Sequence, residues 1–134
     1  MRMERMNEKE RAGIEKKSFE LNYHGGSIWC EHLDGMGEME EEVIGKFRED
    51  RKAFGRPSVS SYMIVNLDET AVTERIAAQI VDGILQCPKR FLMIAFVGVG
   101  RKERKLFDRI RAESCAVMQF FRDYEKAKEW LLMR

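Results

Sequence analysis

Phe91-Leu-Met-Ile-Ala-Phe-Val97 runs directly into Gly98-Val-Gly-Arg101, and a charged segment from Lys102 to Glu113 follows. A second apolar run, Ala116-Val-Met-Gln-Phe-Phe121, then leads into Asp123-Tyr-Glu-Lys-Ala-Lys-Glu-Trp-Leu-Leu132. The two apolar runs have the length of buried strands rather than of helices. Between them Leu106, Phe107 and Ile110 form an inward helical face, and Asp123 caps a last helix whose inner side carries Tyr124, Ala127, Trp130 and Leu131. The last third therefore reads strand, helix, strand, helix.

The same unit precedes it. Tyr62-Met-Ile-Val-Asn-Leu67 is nearly continuous in apolar residues, as a strand covered on both faces should be. Asp68, Thr70 and Thr73 offer capping oxygens ahead of Ile76, Ala77, Ile80, Val81 and Ile84, which share one helical face; Gly83 weakens only the last turn. Upstream, Met39, Val43 and Phe47 recur every fourth residue. Glu38 and Glu40 to Glu42 crowd the start and Lys46, Arg48, Arg51 and Lys52 the end of that helix, matching its dipole. Phe19-Glu-Leu-Asn-Tyr23, the turn His24-Gly-Gly-Ser27 and Ile28-Trp-Cys-Glu-His-Leu33 read as a hairpin.

The order is ββαβαβαβα in one α/β domain. Right-handed crossovers make the later three strands parallel, with the hairpin supplying an antiparallel partner. Residues 1–17, ten of them charged, are expected to be a mobile arm, leaving 18–134 as the domain.

Composition limits the functional classes. Among 134 residues, 24 basic and 23 acidic side chains leave a net charge of +1, so no overall field draws nucleic acid or anionic lipid. The longest apolar run falls far short of the roughly 18 residues of a membrane helix, and the N-terminus lacks a signal-like apolar centre. A cytoplasmic protein is expected. Cys30, Cys87 and Cys115 form no Cys-x-x-Cys pair and read as reduced, buried thiols.

Met63-Ile-Val-Asn-Leu-Asp-Glu-Thr70, Met93-Ile-Ala-Phe-Val-Gly98 and Phe120-Phe-Arg-Asp-Tyr-Glu-Lys-Ala-Lys-Glu-Trp-Leu131 resemble the STAS-like domains related to anti-sigma-factor antagonists. The resemblance spans roughly residues 18 to 134 and is nearest to bacterial STAS-like proteins with a helix between hairpin and central strand. It implies a mixed, mostly parallel sheet and a regulatory or protein-binding role. Anti-sigma-factor antagonists carry a phosphorylated serine in an Asp-Ser-Ser-Gly stretch; here that stretch reads Glu74-Arg-Ile-Ala77 and contains no serine. Thr70 and Thr73 nearby read as helix caps.

Four other groups bear on chemistry. Gly98-Val-Gly-Arg-Lys102 has the backbone donors and cations to hold an anion, but lacks the third glycine of a dinucleotide loop and the Gly-Lys-Ser/Thr of a phosphate loop, so a tight turn is its ordinary meaning. His24, Cys30 and His32 fall short of a zinc donor set and read as edge-strand surface residues; Ser58, Ser60 and Ser61 read as a polar connector. Trp29, Phe120, Phe121, Tyr124 and Trp130 suit a core better than an apolar ligand cavity; core is the expectation.

The expectation is a non-catalytic regulatory or protein-interaction module without metal or cofactor, whose surface comprises Asn66, Asp68, Thr70 and Thr73 after one strand and Gly98, Gly100 and Arg101 after the next. A protein partner is expected, a homodimer being one form of it. The alternative is a carrier or sensor of a small apolar or anionic ligand.

Overall fold

A computed structural model describes residues 16–23 and 25–133. The expected mobile arm at 1–17 falls almost wholly outside them. Five strands, β1 (Phe19–Tyr23), β2 (Gly26–His32), β3 (Tyr62–Asn66), β4 (Met93–Val97) and β5 (Val117–Phe121), lie side by side in chain order. β1 and β2 are antiparallel, and β2 to β5 are parallel. The second hairpin strand thus joins the parallel set, because the connection from β2 to β3 carries a helix and crosses over like the later two.

Four helices complete the described fold: α1 (Glu40–Phe54), α2 (Glu74–Leu85), α3 (Asp108–Glu113) and α4 (Tyr124–Leu132), with a 3-10 turn at Arg104–Phe107 leading into α3. Crossovers of one hand between strands laid down in one direction put their helices on the same face. Accordingly Val43, Phe47, Ile76, Ile80, Phe107 and Ile110 pack with Met63, Val65, Ile94 and Phe96. Ala127 and Leu131 of α4 cover the other face, against Ile28, Cys30, Ile64, Ala95 and Val97. No described helix is long and apolar enough to cross a membrane.

Several local expectations change in detail. Gly83 does not fray α2; it is buried, and a Cβ there would lie 2.5 Å from the Phe47 ring, so the residue lets α1 and α2 approach. Trp29 and Phe120 join the three-helix layer, whereas Phe121 lies on the other face with Tyr124 and Trp130 of α4. The aromatic group is therefore split by the sheet and lines no common cavity. Trp130 is only partly buried and meets Phe121, with ring centroids 5.6 Å apart, while Phe120 points away from it.

Candidate functional site: a cationic cleft at the carboxyl edge

β3, β4 and β5 end in step, with Asn66 beside Val97 and Val97 beside Phe121. The ladder continues one rung into the loops: Leu67 N–H donates to the Val97 carbonyl (2.8 Å) and Gly98 N–H to the Phe121 carbonyl (3.0 Å). Gly98 has φ +79°, and a Cβ there would sit 2.5 Å from Asp68 Cα. Only glycine accepts both that dihedral and that contact. The loop after β4 consequently rests on the loop after β3. Beside them opens a cleft of about 340 Å³, walled by Asp68, Gly98, Val99, Gly100, Arg101, Arg104, Phe121 and Arg122.

Of the residues expected on this surface, Asp68, Gly98, Gly100 and Arg101 are brought together in the cleft. The other three are structural. Asn66 is buried, and its Oδ1 accepts from Asp68 N–H at 3.0 Å, shaping the turn. Thr70 is buried and is no helix cap: its hydroxyl donates to the Leu33 carbonyl (2.6 Å) and accepts from Met36 N–H (3.1 Å), pinning the loop after β2 to the loop after β3. Thr73 caps α2 as expected, accepting from Ile76 N–H at 3.1 Å, and also donates to Glu40.

Arg104 and Arg122 escaped the sequence reading, although Arg122 follows β5 as Gly98 follows β4. With Arg101 they place three guanidiniums against one carboxylate on the cleft wall. None of the three forms an ion pair among the described residues, whereas Arg75 and Arg109 on the helix surfaces each reach a carboxylate at 3.1 Å. Arg104 is held with its guanidinium over the Phe120 ring, 5.2 Å from the centroid. Its Nε is shut off from solvent without an acceptor. An unpaired buried polar atom costs on the order of 1–3 kcal/mol, and Glu31 Oε2 at the end of β2 is the other such atom among the described residues. In the same loop the N–H groups of Val99, Gly100 and Arg101 reach no backbone carbonyl among the described residues.

A second polar cluster lies at the end of β2 and is engaged except at Glu31 Oε2, which is buried without a hydrogen-bond partner. β2 is interior to the sheet, so Cys30 and His32 are buried and not edge-strand surface residues as expected; His24 lies outside the described residues. His32 stacks between Phe19 and Tyr124, both centroids 5.6 Å away, and its Nδ1 lies 2.9 Å from Asp34 Oδ1. Lys16 Nζ reaches Asp34 Oδ2 at 2.6 Å. Burial alone would raise the Asp34 pKa, but hydrogen bonds from His32 and Lys16 outweigh it and draw the carboxyl down to about 2. On the opposite face Glu31 is fully buried, accepting from Trp29 Nε1–H at 2.8 Å. Burial, reinforced by neighbouring Asp50, holds the Glu31 pKa well above the usual carboxylate range. Lys46 donates to the His32 carbonyl, and Ser18 bridges His32 N–H and Asp50, both at 2.8 Å.

The remaining candidates are structural or dispersed. Ser60 donates to the Ser27 carbonyl and its N–H to Glu20. Cys87 is half-buried and Cys115 exposed, against the expectation of burial; both line a separate cleft of about 270 Å³ at the amino edge, where Lys89 is committed to the Val59 and Ser60 carbonyls. No group of three or more His, Cys, Asp or Glu among the described residues could hold a metal ion. Comparison of the chain with family models, curated proteins and solved structures finds no match.

Proposed function

We propose that the chain is a STAS-like regulatory or protein-interaction module of bacterial type, cytoplasmic and without catalysis, whose working surface is the carboxyl edge of the parallel sheet. The observation that carries this reading is the cleft where Arg101, Arg104 and Arg122 converge without carboxylate partners. Open α/β sheets place their sites outside the carboxyl ends of their strands. The polar groups best suited to chemistry, by contrast, are engaged: His32 with Asp34, Glu31 with Trp29. The first turn of α2, Glu74-Arg-Ile-Ala77, offers no hydroxyl for a switch of the antagonist kind.

Affinity capture with the full chain and with the charge-reversed variant Arg101→Glu/Arg122→Glu tests the reading. The wild type should retain a partner protein that the equally folded variant loses. Identical captures from both would refute it. The competing reading, a small-molecule carrier or sensor, draws on the size of the cleft, and native mass spectrometry showing a bound small anion with no captured protein would favour it.

A further inference from the structure

We infer that the cleft is a receptor for a phosphate monoester, read by the forks of Arg101, Arg104 and Arg122 and by the loop Gly98 to Arg101. This rests on the reading of the carboxyl edge as the working surface and names what that surface recognises.

Charge selects the ligand. The wall carries an excess of two positive charges, matching a phosphate dianion better than a single carboxylate. Guanidinium groups bind tetrahedral oxyanions through paired N–H donors, and the backbone N–H groups of Val99, Gly100 and Arg101, which reach no backbone carbonyl among the described residues, add donors to them. Stacking on Phe120 fixes the Arg104 plane before any ligand arrives. Rigid donors lose less freedom on binding.

Shape and sign narrow the choice further. Phe121 supplies an apolar wall beside Arg122, suited to the carbon side of an ester. Asp68 stands on the same wall and repels a second anionic group, which disfavours polyphosphates and nucleic acid. Glu103 adds to that repulsion, since its carboxylate lies against Gly100, although it is not a wall residue. With the whole chain at +1, the attraction is local to the cleft.

The test is a titration of the isotopically labelled full chain, followed by amide chemical shifts, with inorganic phosphate, phenyl phosphate, and a phosphoserine peptide beside its unphosphorylated form. Phosphate should shift Val99, Gly100, Arg101 and Arg122 saturably. Arg122→Ala, or Arg101→Ala should that variant fail to fold, should weaken binding at least tenfold. Arg75→Ala, which removes the same charge from an ion-paired surface position, should leave it within twofold. A phosphopeptide at least tenfold tighter than phenyl phosphate identifies a phosphoprotein as the source, and comparable affinities a free metabolite; either supports the site. Shifts that do not saturate, or equal losses in Arg75→Ala and Arg122→Ala, overturn it. Failure here with cleft-dependent capture of a partner leaves the interaction surface standing and removes only the phosphate. Phosphate binding without any captured partner does the reverse.

Discussion

The ends of β2 and of β4 and β5 both collect charged side chains, yet the two collections are opposites. At the end of β2, His32, Asp34, Lys16, Lys46, Ser18 and Asp50 are knitted together, and only Oε2 of Glu31, which accepts from Trp29 through Oε1, is left unpaired. At the end of β4 and β5, Arg101, Arg104 and Arg122 converge with no mutual solution. Burial explains the difference. Charged groups near a core must be paired or neutralised for the chain to fold, whereas those lining an open cleft can wait for a partner. On the proposed reading the first cluster serves stability and the second serves binding.

The largest effect should come from breaking the saturated cluster. Asp34→Ala strips His32 and Lys16 of their acceptor, and two charge-assisted hydrogen bonds lost near the core should cost about 2–4 kcal/mol in chemical denaturation. A loss below about 1 kcal/mol would mean that the cluster is no brace. Its pH dependence has a definite sign. The Asp34 carboxyl is drawn down to about 2, so its stabilisation is complete above the ordinary carboxylate value and fades as the pH falls through about 2. Asp34→Asn should abolish that acid-side component, and an unchanged acid limb would contradict the pairing.

Glu31 should give a smaller effect of opposite sign. A carboxyl whose pKa is raised on folding binds its proton more tightly in the native state, so stability declines as pH rises from the unfolded value through the folded one. Glu31→Gln keeps an acceptor for Trp29 without a titrating proton. It should match the wild type near pH 4 and exceed it by a margin that widens as the pH rises. Equal pH profiles for the two proteins would show that folding does not raise the Glu31 pKa.

Smallest of all should be the effect of Arg122→Ala on the free protein. An exposed arginine without an ion pair contributes within about 0.5 kcal/mol, so the melting temperature should hardly move. A large drop would place Arg122 in the fold and out of the binding surface.

What could be read from the chain divides along the same line. β3, α2, β4 and β5 were legible because Met63 to Val65, Ile76 to Ile84 and Ile94 to Phe96 carry their own periodicity and burial. The setting of β2 was not. Local alternation in Ile28 to Leu33 reveals a hairpin strand but not its parallel partner β3, and that partner is what buries Cys30 and His32. Glu31 was invisible for a related reason: its burial depends on α1, fifteen residues downstream for Lys46 and nineteen for Asp50. Of the cleft, Asp68, Gly98, Gly100 and Arg101 were foreseen because they directly follow strands. Arg104 and Arg122 are two among 24 basic residues, and only the side-by-side order of β3, β4 and β5 brings them to the same place.

Thermal unfolding in phosphate is the most direct test of whether the unsaturated end is a binding site. The full chain and the Arg101→Ala/Arg122→Ala variant would be melted in rising sodium phosphate against sodium chloride at equal ionic strength. Phosphate is also excluded from protein surfaces and stabilises any fold to some extent, so the difference between the two proteins is the informative quantity. A ligand held by the native cleft at roughly ten times its Kd adds about 1.4 kcal/mol, which for a domain of this size raises the melting temperature by about 4 °C more in the wild type than in the variant. Parallel rises in both proteins would contradict the account and leave the three arginines as ordinary surface charge.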